Sequence, residues 1–122
     1  MTAKKILVLF TNEWDTAELA SQRYAGRFEF IFEGFDLFKF PENAWLMLFD
    51  ARRFIARIVS RFANAGIDGV VSTDEHFGAM IAAIVAQRLG VPGGNVESIL
   101  IAQHKYYARV RQREIAPEAT PA

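Results

Sequence analysis

The sequence contains no cysteine. That excludes a disulfide framework, a thiolate zinc site and a cysteine nucleophile. It carries no net charge, because fourteen Lys/Arg cancel fourteen Asp/Glu. No global field therefore draws the chain to nucleic acid or to anionic lipid. Long hydrophobic runs are also missing. Ile6-Leu7-Val8-Leu9-Phe10 follows almost directly on the start and is too short for a membrane span or a secretory-signal core. The expectation is a soluble cytoplasmic protein that binds neither membrane nor nucleic acid. Glycine-rich motifs are missing too: no Gly-x-Gly-x-x-Gly follows the first apolar run, and neither a Gly-Lys-Ser/Thr phosphate loop nor a Gly-x-Ser-x-Gly elbow occurs. Dinucleotide binding and elbow-type serine hydrolysis lose their usual signatures.

What is present is one domain's worth of chain. There are 122 residues, 52% hydrophobic and 23% charged, an ordinary globular balance. A chain of this length buries roughly two thirds of its unfolded surface and needs no metal or disulfide to hold a core. The neutral total hides an asymmetry. Residues 1–50 carry five Lys/Arg and eight Asp/Glu, a net of −3, and residues 51–122 carry nine and six, a net of +3. Either the two halves are solvated faces of different sign, or the basic second half faces a phosphate or an acidic partner.

Apolar periodicity sets out the elements. Ile6–Phe10 reads as a strand buried on both faces. Asp15 or Thr16 is placed to cap a helix running to about Gly26. Phe28, Phe30 and Phe32 alternate with Glu29, Ile31 and Glu33, the pattern of an edge strand with one buried side. Eight of the eleven phenylalanines lie between residues 28 and 54, a density that points to core or to a cover over a sheet edge. Helical spacing predicts a helix from about Asn43 to Ala65, with Arg53, Arg57 and Arg61 as a stripe on one face. That stripe is either solvated or a surface for a partner or phosphate. Ile67–Ser72 reads as a third strand. Ser72 and Glu75 have capping-box spacing for a helix that ends at Gly90. Gly90–Gly94 has room for a short fourth strand, and a last helical region spans Glu97 to about Glu114. This alternation predicts an α/β, Rossmann-like three-layer domain over residues 1–114: a four-stranded, mostly parallel sheet of order 2-1-3-4 with helices on both faces. Residues 115–122, punctuated by proline, read as a linker.

In such a fold ligands meet the carboxyl ends of the strands. Two loops there carry polar side chains, Thr11–Asp15 and Ser72–Gly78. Asp74, Glu75 and His76 are the one place where two carboxylates and an imidazole adjoin, residue types suited to metal binding or acid–base work. The same types are preferred as helix caps, so capping and ligand contact both stay open. A small enzyme built on these three residues ranks last, because the chain offers no second catalytic cluster. His104 has no neighbour in sequence with which to form a site. Tyr106, Tyr107, Arg109, Arg111 and Arg113 combine rings and charge, a weak nucleic-acid signal on a neutral chain.

The second half holds an ordered series: Gly66-Ile67-Asp68-Gly69-Val70-Val71-Ser72-Thr73-Asp74-Glu75, Ala86-Gln87-Arg88-Leu89-Gly90-Val91-Pro92-Gly93, Asn95-Val96-Glu97-Ser98, Gln103-His104-Lys105-Tyr106-Tyr107-Ala108-Arg109 and Ile115-Ala116-Pro117-Glu118-Ala119-Thr120-Pro121. This series resembles the N-terminal, pre-ATP-grasp domain of ATP-grasp ligases of the carboxylate–amine and biotin-carboxylase-like kind. Val96 departs from the proline usual in that family's Pro-Glu turn.

The resemblance implies a domain that contacts the non-nucleotide substrate, a small carboxylate, along a rim comprising Asn12, Glu13, Asp74, Glu75 and His76. It implies that Lys105 and Arg109 meet the ATP-binding body. That body, with its nucleotide lysines and Mg²⁺ ligands, would lie beyond residue 122 and act in cis or in trans. ATP and Mg²⁺ belong to the complete enzyme. The chain alone is expected to bind no cofactor, to hold no metal and to catalyse nothing. The alternative from another class is a stand-alone binding or homodimerising module, with the Phe-rich 35–49 segment or the 104–113 helix as its surface.

Overall fold

A computed structural model describes residues 2–120. Its sheet has three strands, β1 (Lys4–Leu9), β2 (Phe28–Glu33) and β3 (Gly69–Ser72), in the order β2-β1-β3, all parallel. The α/β class and the first three positions of the expected order therefore hold. The expected fourth strand does not form among the described residues. The 91–94 segment lies along the outer edge of β3 but exchanges one backbone bond with it, Val70 N–H donating to the Pro92 carbonyl at 3.1 Å. Pro92 has no N–H with which to continue a ladder, and Gly93 and Gly94 contribute no side chains to hold an extended segment in place.

The two sheet faces differ. Leu7 and Leu9 of β1 and Val70 of β3 point to one face, where they pack on Phe54, Ile55 and Ile58 of α2 (Ala51–Phe62) and Ile81 and Val85 of α3 (Phe77–Leu89). These residues are almost wholly buried. The other face carries Ile6, Val8, Phe28, Phe30, Phe32 and Val71, which the register aligns across the strands. α1 (Glu13–Leu19) and the 3-10 turn Gln22–Tyr24 lie on it. Tyr24 meets Phe28 and Phe30 edge-on, at ring-centroid distances of 6.3 and 5.7 Å. The second face is covered incompletely: Val8 of β1 is fully buried there, while Phe32 of β2 and Val71 of β3 remain 39% and 47% exposed.

Several element boundaries depart from the periodicity. Asn12 caps α1, accepting from Asp15 N–H at 2.8 Å, so the helix starts earlier than Asp15 or Thr16 would set it. It ends at Leu19, and the chain reaches Gly26 through the 3-10 turn. The predicted 43–65 helix divides into a 3-10 helix, Glu42–Leu48, and α2, because Asp50 caps a fresh start by accepting from Arg53 N–H. The 97–114 region is likewise two helices, α4 (Val96–Gln103) and α5 (Lys105–Ile115), separated by His104 in an extended conformation. The His104 imidazole accepts from Tyr107 N–H, a capping role that substitutes for a Ser or Asp. Pro117–Ala119 forms a 3-10 turn, while the Pro121–Ala122 end of the expected linker lies outside the described residues. Among the described residues no helix is long and apolar enough to cross a membrane.

Candidate functional site

The carboxyl ends of β1, β2 and β3 lead into three loops, and a phenylalanine stands in or directly after each. Phe10 follows β1, Phe35 follows β2, and Phe77 opens α3. Their rings converge with those of Phe49 and Phe54. Phe10 is the hub, with centroids at 5.5 Å from Phe35, 5.9 Å from Phe49, 5.0 Å from Phe54 and 5.3 Å from Phe77. Most of these pairs are edge-on, the arrangement that ring quadrupoles favour. To place its ring there Phe10 adopts φ 58°, a left-handed conformation that is rare outside glycine. Gly34 passes directly beneath: a Cβ on it would stand 2.8 Å from Phe10 Cδ1. The sheet end on the α2–α3 side is thus closed by apolar packing.

The polar rim lies around this plug, and hydrogen bonding engages most of it. Asn12 caps α1. Glu13 pairs with Lys39, and that hydrogen bond, then the Glu13 charge itself, holds the Lys39 ammonium pKa above its ordinary value. Asn12 and Glu13 share a cavity of about 380 Å³ with Thr11, Thr16, Asp36 and Glu42. Asp36 is buried in the turn after β2, accepting from Phe38 N–H at 2.9 Å and Lys39 N–H at 3.2 Å, and Glu42 accepts from Asp36 N–H. Asp36, Lys39 and Glu42 carry no motif signal, since the sequence shows them only as scattered charges in an aromatic loop.

Asp74, Glu75 and His76 do not line that cavity. Asp74 is 7% exposed and accepts from Gly78 N–H at 2.5 Å. The capping box that the Ser72–Glu75 spacing suggested does not form: α3 starts only at Phe77, His76 at its N-cap position makes no side-chain cap bond, and Asp74 reaches forward to satisfy the second amide of the helix. Ser72 instead donates to the Leu9 carbonyl at 2.7 Å and accepts from Asp74 N–H, tying the β3 loop to β1. Asp74→Ala should therefore lower the unfolding free energy by about 1–2 kcal/mol, measured by denaturant titration. A change within a few tenths would show that Asp74 is not the cap. Glu75 and His76 are solvent-facing, 3.6 Å apart. Gln103 at the end of α4 donates to both of their carbonyls, so α5 starts beside the β3 loop. Lys105 and Arg109 on α5 are exposed.

The structure brings together Asn12 with Glu13, and separately Asp74 with Glu75 and His76, but does not join the two groups in one cavity. Among the described residues no group of three or more His, Asp or Glu could hold a metal. Comparison with known protein families, curated proteins and solved structures finds no match to this chain.

Proposed function

We propose that the chain is the substrate-side domain of an ATP-grasp ligase of the carboxylate–amine or biotin-carboxylase-like kind, a binding domain without a catalytic step of its own. The observation that supports this reading best is the match of motif order to topology. The three strands are parallel, so the turns after β1, β2 and β3 all open at one end of the sheet, where this class of fold receives ligands. The resembling series runs from β3 through α3, α4 and α5 in chain order. In this reading the rim residues Asn12, Glu13, Asp74, Glu75 and His76 face the non-nucleotide substrate from two separate loops at that end, and Lys105 and Arg109 face the ATP-binding body. Their charge is of the sign an ATP phosphate attracts.

The purified 122 residues are expected to show no ATP turnover with Mg²⁺. Adding an ATP-grasp body in trans should give a one-to-one complex that Lys105→Glu with Arg109→Glu weakens at least about tenfold, since charge reversal replaces attraction with repulsion. Mg²⁺-dependent turnover by the chain alone, or a complex indifferent to the reversals, would overturn the proposal. A second reading, a self-associating module, draws on the exposed Trp45, Met47 and Leu48 of the 3-10 helix Glu42–Leu48. Sedimentation separates the two, because self-association needs no second protein.

A further inference from the structure

We infer that the groove between α2 and the 3-10 helix Glu42–Leu48 binds an organic monocarboxylate with an aromatic body. This inference is independent of the ligase reading, and none of the rim residues Asn12, Glu13, Asp74, Glu75 or His76 lines the groove. The groove encloses about 550 Å³, within the range of small-molecule sites. Its apolar wall is built from Phe35, Trp45, Leu48, Phe49 and Phe54. Trp45 and Leu48 project from one side, 63% and 82% exposed. Trp45 offers a ring face on which a planar ligand can stack.

The polar residues of the groove decide the charge of the occupant. Two carboxylates and two guanidiniums line it: Glu33, Asp50, Arg53 and Arg57. Glu33 is neutralised from the side by Arg61, at 2.6 Å. Asp50 is neutralised by Arg53, 3.6 Å from its Nε, while also capping α2 through Arg53 N–H. Arg57 is left over. It has no carboxylate partner among the described residues, and its guanidinium lies over the Phe54 ring at 5.4 Å from the centroid. That stacking holds the guanidinium at the groove wall and leaves its N–H fork for a bidentate acceptor. The groove therefore has one surplus positive charge beside an aromatic wall. A single carboxylate on a planar apolar body satisfies both features. A dianion would leave one charge unpaired against Glu33 and Asp50. A neutral hydrocarbon would leave the fork without an acceptor.

The arginine stripe thus divides by function. Arg53 and Arg61 hold carboxylates of the chain itself, and Arg57, between them in sequence, is the one that recognises a ligand.

2-Naphthoate and its neutral isostere 2-naphthamide test the proposal. Titration followed by amide and indole NMR should show saturable one-to-one binding of naphthoate. The Trp45 indole signal should shift, while that of Trp14, 86% exposed on α1, stays in place. Naphthamide should bind at least about tenfold more weakly, because it lacks the charge-assisted pair. Arg57→Gln should bring the acid down to the affinity of the amide, and Arg52→Gln, on the same helix but outside the groove, should leave both unchanged. Circular dichroism checks that Arg57→Gln is folded, and the acid–amide comparison in the unmutated chain stands whether or not it is. Equal binding of acid and amide, an Arg57→Gln chain that still prefers the acid, absence of saturable binding up to millimolar naphthoate, or naphthoate effects that merely track dissociation of a dimer seated on the groove would each overturn it.

Discussion

Phe10→Ala is expected to lower the unfolding free energy by about 3–5 kcal/mol, the range for emptying an aromatic site in a close-packed core. Four neighbouring rings touch this one, and they come from the loop after β2, from the first residue of α3, and from α2 as well as the turn before it. Removing the hub leaves a void that none of them can fill without moving its own backbone. The substitution has an internal control. Glycine in place of alanine usually costs a further ~0.5–1 kcal/mol in backbone entropy. Residue 10 sits at φ 58°, where alanine is strained and glycine is not. Phe10→Gly should therefore be no worse than Phe10→Ala. Chemical denaturation of the two variants reads the order directly. Phe40→Ala, at an 80% exposed position, should stay within about 0.5 kcal/mol of the parent. If Phe10→Ala costs no more than Phe40→Ala, the ring cluster is not a keystone.

Gly34→Ala should cost about 2–4 kcal/mol, from two additive sources. The first is conformational: Gly34 has φ +94°, a region costly to any residue with a Cβ. The second is steric. The new methyl would meet Phe10 Cδ1 at 2.8 Å and the Phe10 backbone nitrogen at 3.1 Å, and the ring cannot retreat because Phe49, Phe54 and Phe77 lie against it. Overpacking of a fixed ring is destabilising in the same way as a cavity. Gly26→Ala separates the terms. Gly26 also has a positive φ, +78°, but nothing lies within 4 Å of its added Cβ. It should lose only the conformational part, about 1 kcal/mol. The difference between the two variants measures the contact with Phe10. Equal losses would mean that the ring moves aside and the packing around it is loose.

Both predictions concern residues that the sequence placed only roughly. Phe10 reads as the last residue of an apolar run, and Phe77 as one apolar position of a helix. Nothing in the spacing of residues 10, 35, 49, 54 and 77 shows that they meet, since contacts across so many residues depend on where the crossovers land. The same holds at the rim. Asn12, Glu13, Asp74, Glu75 and His76 were legible as polar residues at strand ends, because period and alternation locate strand ends well. Which of them would act as a cap was not legible. Asp74 and Glu75 are both competent by type, and the choice fell to Asp74 because Gly78 N–H comes within its reach as α3 starts at Phe77, while Glu75 was left facing water. Asp36 and Glu42 joined Glu13 in one cavity only because β2 lies beside β1.

The absent fourth strand and the broken last helix follow one rule. A periodic apolar pattern states what a segment can bury, but where an element stops is decided by backbone hydrogen bonds. Pro92 withholds a donor from the edge of β3, and His104 supplies a side-chain acceptor that restarts the helix.

The sequence by itself determined the α/β class, the parallel strands β1, β2 and β3, and the glycine stop of α3. It also determined the absence of thiol chemistry. These follow from local periods, turn residues and composition, which no distant contact can alter. The tertiary structure alone decided that Phe10 closes the sheet end, that Asp74 holds an amide of the first turn of α3, and that Arg57 is the member of the arginine stripe with no carboxylate partner among the described residues. The ring cluster and the Glu33–Arg61 pair are matters of which groups meet across the fold, and pairing between residues far apart in sequence leaves no trace in their spacing; the Asp74 bond spans only four residues and was decided by where α3 starts.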